Sequence, residues 1–323
     1  MLPTRFTELV GCALPIQQAG MGGVAGPDLA VAVSAAGGLG TVALHTMPAS
    51  TVAANLDAMV ERTGAPLAFN VLMPFLDRDA VEAASARCRL VEFFYGDPDA
   101  ELVGLVHASG ALAAWQIGSI GEAEAARDAG CDVVIAQGVE AGGHVRGRTG
   151  LLGLLSAVLD AVDIPVVAAG GIGGPRTAAA AFAAGADAVR VGTRFVATHE
   201  ADAHPDYVAA LVDARAEDTM LTDTFSVMWP DAPHRVLRSC VDKVNALDAE
   251  TVGEVELAGT SVPVPRRSVL VPTRAATGSV DAMALYAGES VTDVADVVPA
   301  RAVVAEITTG AEELLRRRGP QPV

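Results

Sequence analysis

Residues 164–193 read IPVVAAGGIGGPRTAAAAFAAGADAVRVGT, and this stretch contains one complete strand–helix–strand repeat. The apolar run 165–169 ends in two glycines, the alanine-rich segment 176–184 has the composition of a helix, and the mostly apolar run 188–192 is followed by threonine. Runs of this kind are typical of parallel strands that are covered on both faces. The stretch therefore predicts a βαβ unit with glycine at the carboxyl end of each strand.

The same alternation extends towards the N-terminus. Six further short runs rich in Val, Ile and Ala precede the quoted stretch, at 16–19, 40–44, 67–71, 90–95, 111–116 and 133–136. They recur at about the spacing of a βα unit, and helix-like segments such as 27–36, 49–62 and 120–129 lie between them. Eight such units predict an α/β fold, a (β/α)8 TIM barrel. An open, doubly wound sheet is the alternative architecture.

The repeat stops near residue 199. Residues 199–278 carry many charges, six prolines and one tryptophan. We therefore predict that residues 1–198 form the barrel and that 199–278 form an insertion or lid at its mouth, after strand eight. Two C-terminal helices within 279–323, at 280–287 and 300–318, would complete the barrel.

Composition narrows the function classes. The 323 residues carry 22 Lys and Arg against 39 Asp and Glu, a formal net charge of −17, and 51% of them are hydrophobic. A disordered chain would be more polar, and a nucleic-acid-binding protein would need more cations. The four cysteines have neither disulfide-framework nor zinc-site spacing, so no metal is expected. Without a signal peptide or an unbroken span of about 20 apolar residues, we expect a soluble cytoplasmic protein.

Glycines at two neighbouring strand ends predict a phosphate site. Active sites of such barrels lie on the loops that follow the strands, and phosphate sites use the loops after strands seven and eight. Gly170–Gly171 and Gly192–Thr193 occupy those two positions. Glycine lets backbone N–H groups approach phosphate oxygens closely. The alternative is that these glycines only permit tight turns.

Residues 137–144, with the sequence QGVEAGGH, place a histidine after another strand end. The pKa of a free imidazole, about 6.5, suits His144 as a proton acceptor or hydrogen-bond donor to a ligand. A histidine without a role is the alternative. For Glu140 we favour a structural role, orienting the loop or pairing with Arg146 or Arg148. His45 follows the second strand and is a weaker candidate, and Trp229 is either lid packing or a wall of the pocket.

These motifs together resemble the nitronate monooxygenase family, formerly called 2-nitropropane dioxygenases. The resemblance is carried by PIQQAGMGG (15–23), Phe69–Asn70, QGVEAGGH (137–144), IPVVAAGGIG (164–173) and VGTRF (191–195). FMN-dependent enoyl-acyl-carrier-protein reductases and some NADH:quinone reductases are related to that family. Residue 190 is Arg where relatives commonly have Gln. Residues 218–240 lack the Gly-His-Pro-type sequence that we associate with the enoyl reductases.

The resemblance implies an FMN-dependent enzyme with His144 as its catalytic histidine. It implies amide groups from Asn70 and Gln137 at the flavin or ribityl chain, and phosphate at the two glycine turns. The cofactor-binding set expected from the motifs and strand ends is Gly20, Met21, Asn70, Gln137, Gly142, Gly143, Gly170, Gly171, Arg190, Val191, Gly192 and Thr193.

The leading functional hypothesis is oxidation of an alkyl nitronate with FMN and O2 to a carbonyl compound and nitrite. A protonated His144 would hydrogen-bond the nitronate, or a neutral His144 would take the α-proton of a nitroalkane. The runner-up is an NAD(P)H-dependent FMN reductase of a quinone or an enoyl thioester. A non-catalytic flavin-binding or phospholigand-binding barrel, or a flavin-free barrel acting on a phosphorylated sugar, are further alternatives. Expected partners are thus small molecules, without nucleic acid or membrane, and a homodimer is left open.

Overall fold

The computed structural model describes residues 3–44, 47–257 and 260–318, so His45 lies outside the described residues. Eight parallel strands form one sheet in the order β1-β9-β8-β6-β5-β4-β3-β2. The bounds of the strands are β1 (Ile16–Gln18), β2 (Gly40–Val42), β3 (Leu67–Leu72), β4 (Leu90–Phe94), β5 (Leu112–Ile117), β6 (Val133–Gln137), β7 (Gly143–His144), β8 (Val166–Ala169), β9 (Ala188–Val191), β10 (Thr219–Thr222), β11 (His234–Leu237), β12 (Thr251–Leu257), β13 (Thr260–Pro265) and β14 (Thr277–Gly278).

The sheet closes into a barrel between its first and last strands. A parallel bridge joins Gln17 to Leu39, and the Gln18 amide donates to the Leu39 carbonyl at 3.0 Å. The predicted (β/α)8 barrel is therefore confirmed, and the open doubly wound sheet is wrong.

An outer ring of helices covers the barrel. The helices are α1 (Arg5–Val10), α2 (Pro27–Ala35), α3 (Ala49–Thr63), α4 (Arg78–Ser85), α5 (Ala100–His107), α6 (Ile120–Asp128), α7 (Leu151–Ala161), α8 (Pro175–Ala183), α9 (Thr193–Val196), α10 (Pro205–Asp213), α11 (Arg238–Ala246) and α12 (Ala300–Arg318). Helix α12 packs against α8 and α2, so it fills the ring position between the last and the first barrel strand. Its bounds are those predicted from the sequence.

The barrel interior changes from apolar to polar along the strands. Side chains of a strand alternate between the two faces of the sheet, so interior positions recur every second residue. The lower interior is apolar and is closed by α1, whose Phe6 and Val10 pack beneath Leu39, Leu90 and Val133. One interior position further along the strands, the side chains become polar: Gln17, Thr41, Asn70, Glu92 and Arg190, all buried. This polar layer faces the carboxyl ends of the strands.

Residues 199–278 add helices and two small sheets above the barrel. Strand β11 pairs antiparallel with β10 and with β7, whereas β12 pairs with β13 and β14. The predicted helix at 280–287 is wrong, because only Val280–Ala282 forms a short 3-10 turn. The next residues are extended, since the Leu237 amide donates to the Leu285 carbonyl and the Ala287 amide to the Arg235 carbonyl. Within the described ranges, no helix combines the length and apolarity needed to cross a bilayer.

Candidate active site

A cavity of about 1010 Å³ opens at the carboxyl ends of the barrel strands. Eleven of the thirteen residues predicted for the site line it: Gly20, Met21, Asn70, Gln137, Gly142, Gly143, His144, Gly170, Arg190, Gly192 and Thr193. Gly171 and Val191 do not line it. Val191 is fully buried, because it follows Arg190 in β9 and points to the opposite face of the sheet.

The loop after β8 requires glycine. Gly170 and Gly171 have φ values of 104° and 65°, in the left-handed region that disfavours side chains. A Cβ at Gly170 would lie 3.0 Å from the Gly138 carbonyl oxygen, and a Cβ at Gly171 would lie 3.3 Å from Cβ of Glu140. The backbone of this loop is thus pressed against residues 138–141, with Gly170 facing the cavity.

The second glycine turn lies beside the first. Ala169 is paired with Arg190, so the loops after β8 and β9 leave adjacent strands. Gly192 is followed by Thr193, whose Oγ1 accepts a 2.9 Å hydrogen bond from the Gly288 amide. The Thr193 hydroxyl can still donate its own proton to a ligand oxygen. Two glycine turns and a hydroxyl therefore line the cavity at the ends of two adjacent strands.

Gln137 positions the loop that carries His144. Its Nε2 donates to the His144 carbonyl at 2.9 Å, and its Oε1 accepts from the Arg146 amide at 3.5 Å. Strand β7 also pairs with β11, with His144 opposite His234. The His144 backbone is therefore held from two sides.

The His144 ring lies against aromatic side chains. It stacks on Trp229, with centroids 3.9 Å apart and planes 20° apart, and Tyr286 and His234 follow at 5.6 and 5.4 Å. Its Nε2 is buried and has no hydrogen-bond partner within the part of the chain that the structure describes. Burial lowers the pKa of His144 to about 3, and His234 contributes a smaller electrostatic share. At neutral pH the imidazole is therefore uncharged, with one nitrogen left for a ligand.

His234 is fixed as a neutral ring. Its Nε2 accepts from the Phe225 amide at 3.2 Å, and its Nδ1 lies 2.9 Å from the Ala232 carbonyl oxygen. These two partners require a proton on Nδ1 and none on Nε2. His234 is a structural histidine behind His144.

Two aromatic residues complete the wall around His144. Trp229 is buried and lines the cavity. Of the two roles left open by the sequence, lid packing and a wall of the pocket, the structure therefore shows the wall of the pocket. Tyr95 stands edge-on to Trp229 and His144, at 4.8 and 6.0 Å. Its φ of 68° is unusual for a bulky residue, a kind of strain that clusters at functional sites. Tyr95 directly follows β4, so the rule that selected residues at strand ends could have identified it.

The floor of the cavity is formed by the side chains of Asn70 and Arg190. Beneath it lies a buried carboxylate that the sequence reasoning missed. Glu92, in β4, is bound by both terminal nitrogens of the Arg190 guanidinium. Asn70 Nδ2 donates to Glu92 Oε1 at 2.8 Å, and Gln17 Nε2 donates to Glu92 Oε2 at 2.6 Å. A single carboxylate inside the apolar run LVEFF was the available signal. No group of three His, Cys, Asp or Glu suited to a metal occurs among the residues described.

Glu140 has a structural role. Both of its carboxylate oxygens accept from the Leu151 amide at 3.0 Å, at the first turn of α7. Pairing with Arg146 is wrong, because Arg146 binds Glu122 and Asp97 instead. A carboxylate at a helix N-terminus satisfies an otherwise unpaired amide and complements the helix dipole.

We expect Glu140→Ala to lower the free energy of unfolding by about 1 kcal/mol, the typical value of such a helix-terminal acceptor. Glu140→Gln keeps an acceptor oxygen and should lose less. Urea denaturation of the three proteins provides the measurement. Equal stability of the alanine and glutamine variants would contradict this role.

The low pKa of His144 predicts a pH-dependent stability. The unfolded chain restores the imidazole pKa to about 6.5, so between pH 6.5 and about 3 the unfolded state binds more protons and the folded state loses stability as the pH falls. At pH 5 this loss amounts to about 2 kcal/mol. Between pH 7 and pH 5 we expect the free energy of unfolding of His144→Gln to fall by about 2 kcal/mol less than that of the wild type. Urea denaturation of both proteins at the two pH values provides the measurement. An unchanged pH dependence would mean that His144 is not held neutral.

The family model described as nitronate monooxygenase matches residues 3–84 and 76–310. A (3aS,4S,5R,7aS)-5-hydroxy-7a-methyl-1-oxo-octahydro-1H-indene-4-carboxyl-CoA dehydrogenase of Rhodococcus jostii (strain RHA1) is 39% identical over 257 residues, which are 76% of this chain and 68% of the relative.

Two solved structures have the same architecture over nearly the whole chain. FabK from Thermotoga maritima has a TM-score of 0.83 and 28% identity, and the match covers 98% of each chain. Nitroalkane oxidase from Streptomyces ansochromogenes has a TM-score of 0.76 and 30% identity, covering 97% of this chain and 99% of the other.

Proposed function

Since the chain belongs to the nitronate monooxygenase family, a family of oxidoreductases, we propose that it is an FMN-dependent enzyme that oxidises alkyl nitronates with O2 to a carbonyl compound and nitrite. The observation that carries the proposal is the uncharged imidazole of His144, whose Nε2 has no hydrogen-bond partner among the described residues, in a cavity that two adjacent glycine turns also line. A similarity to nitroalkane oxidase supports the substrate class.

The residues of the cavity fit FMN. The backbone of Gly170 and Gly192 and the hydroxyl of Thr193 suit the phosphate, and the Asn70 and Arg190 side chains on the floor offer polar atoms to the ring or ribityl chain. When bound, FMN would accept electrons from the substrate and pass them to O2. The protein binds, orients and polarises the substrate.

His144 acts on the substrate in its neutral form. The protonated imidazole that would grip a nitronate by its charge is not the form present at pH 7, because burial disfavours the cation. The neutral ring offers an N–H that donates to a nitronate oxygen, whereas accepting the α-proton of a nitroalkane would create the buried cation that the site disfavours. Stacking on Trp229 fixes the plane of the ring for this contact.

A flavin-dependent reaction of an acyl thioester with NAD(P)H is the second candidate. The 39% identity to a relative named as a carboxyl-CoA dehydrogenase favours it. The cavity also favours it, since about 1010 Å³ lies at the upper end of the about 300–1,000 Å³ found for ligand pockets and has room for FMN together with a substrate larger than a small nitronate.

Anaerobic additions to the FMN-loaded protein distinguish these reactions. Bleaching of the flavin absorbance by an alkyl nitronate, and not by NADH or NADPH, is the expected result. Bleaching by a nicotinamide, reversed by an enoyl-CoA thioester, would establish the second candidate instead. An unchanged spectrum with every donor would contradict both and leave a non-catalytic flavin-binding barrel.

A further inference from the structure

The floor of the cavity contains the guanidinium of Arg190, whose position is fixed by the Glu92 carboxylate beneath it. Arg190 lies in β9 and Glu92 in β4, and the two side chains meet across the barrel interior. Arg190 Nη2 is 2.6 Å from Glu92 Oε1, and Nη1 binds Oε2, a bidentate pair. Both residues are buried, Arg190 at 6% and Glu92 at 1% exposure.

Two amides share the Glu92 carboxylate. Asn70 Nδ2 donates to it at 2.8 Å from β3, and Gln17 Nε2 donates to it at 2.6 Å from β1. Gln17 Nε2 also contacts Thr41 Oγ1 at 3.1 Å. Glu92 therefore connects four strands of the barrel, and each of its oxygens accepts two hydrogen bonds.

The two charges of the pair are not equivalent with respect to the cavity. Arg190 and Asn70 line it, whereas Glu92 and Gln17 do not. A ligand on this floor meets the guanidinium first and the carboxylate only behind it. The guanidinium therefore presents the positive end of the pair to the cavity.

We propose that Arg190, positioned by Glu92, is the residue of this site that stabilises negative charge on the bound flavin ring. The proposal rests on the proposed function, because it requires FMN in the cavity. Two-electron reduction of FMN with uptake of one proton adds one negative charge to the ring. A fixed cation in a buried, low-dielectric position favours that charge and raises the reduction potential. Glu92 is a positioning residue, since it acts only through Arg190 and Asn70.

Removing the pair as a unit tests the proposal with the least harm to the fold. A buried charge left without its partner costs about 3–5 kcal/mol, so the single variant Arg190→Gln risks unfolding. In the double variant R190Q/E92Q both side chains are neutral amides that can hydrogen-bond each other. The single variant Glu92→Gln also removes the counter-ion of a buried charge, but its amide oxygen still accepts from the guanidinium, so it isolates the effect of the negative charge. The variant Arg190→Lys keeps a positive charge on the floor.

Sulfite is the probe, because it adds to oxidised flavin and leaves negative charge on the ring. We expect the double variant to bind FMN and to show about tenfold weaker sulfite affinity than the wild type, together with a lower reduction potential. Glu92→Gln should tighten sulfite binding and raise the reduction potential, because it removes only the negative charge of the pair. Arg190→Lys should lower both quantities less than the double variant does, because it keeps a positive charge on the floor. The sulfite affinity and the reduction potential are both measured from the flavin spectrum and do not depend on turnover.

The outcomes separate this proposal from the function on which it rests. Wild-type protein that takes up no FMN would overturn both. FMN bound normally, with equal sulfite affinity and potential in the wild type and the double variant, would overturn only the role of Arg190, as a purely structural pair predicts. Should the double variant not fold, Glu92→Gln alone decides: tighter sulfite binding than in the wild type would support the proposal, and unchanged or weaker binding would overturn it.

Discussion

Replacing His144 with alanine is expected to lower the turnover of the FMN-loaded enzyme by about 10²–10⁴-fold, the usual contribution of a positioned acid or base. The reason is geometric: Nε2 of His144 has no partner among the described residues, and the ring is held by Trp229 on one face. FMN should stay bound, because its proposed phosphate site is formed by Gly170, Gly192 and Thr193, which follow other strands.

The control for this variant is His107→Ala. His107 ends α5 and is exposed, and its Nε2 lies 2.7 Å from Oδ2 of Asp132. It is not among the residues that line the cavity. Steady-state rates and flavin spectra of both variants against the wild type provide the measurement. Full turnover in His144→Ala would remove His144 from the reaction, and loss of FMN from that variant would show a binding role instead.

Replacing Gly170 with alanine is expected to weaken FMN binding by about ten- to a hundredfold. Alanine at φ 104° is strained, and its Cβ would lie 3.0 Å from the Gly138 carbonyl and 3.2 Å from the Ala141 amide nitrogen. The alanine would strain the loop by about 1–3 kcal/mol, and the loop would relieve this strain by moving away from Gly192. Binding FMN would then have to restore the strained loop, and an energy of this size corresponds to a ten- to hundredfold loss of affinity.

Gly11→Ala is the matched control for the strain itself. Gly11 ends α1 with a φ of 84°, and a Cβ there would meet nothing within 4 Å. Both variants should lose stability, but only Gly170→Ala should lose FMN affinity in an equilibrium titration. If both variants bind FMN as the wild type does, the loop after β8 does not hold the phosphate.

The fold was predictable because its signals are local and repeated. Each βα unit carries its own apolar run, helix-like segment and glycine turn. The presence of eight such units therefore predicts the closed barrel. The stretch 283–287 was misassigned because its alanines suit a helix, whereas hydrogen bonds to Arg235 and Leu237, which are remote in sequence, hold it extended. Such pairing has no periodic signal in the sequence.

The site was predictable where a residue follows a strand and not where a contact crosses the molecule. His144 and the glycine turns follow strands, and they line one cavity. Val191 was included beside Arg190 although neighbouring strand residues face opposite sides. The stacking of Trp229 on His144 depends on how residues 199–278 pack over the barrel, and these residues have no sequence repeat from which to infer that packing.

The most direct test of the account compares FMN with riboflavin, which lacks the phosphate, in titrations of the flavin-free protein followed by flavin fluorescence. If the glycine turns at 170 and 192 hold a phosphate through backbone amides, FMN should bind about a hundredfold more tightly than riboflavin, with one FMN per chain. Equal affinity for the two flavins, or no binding of either, would contradict the central claim.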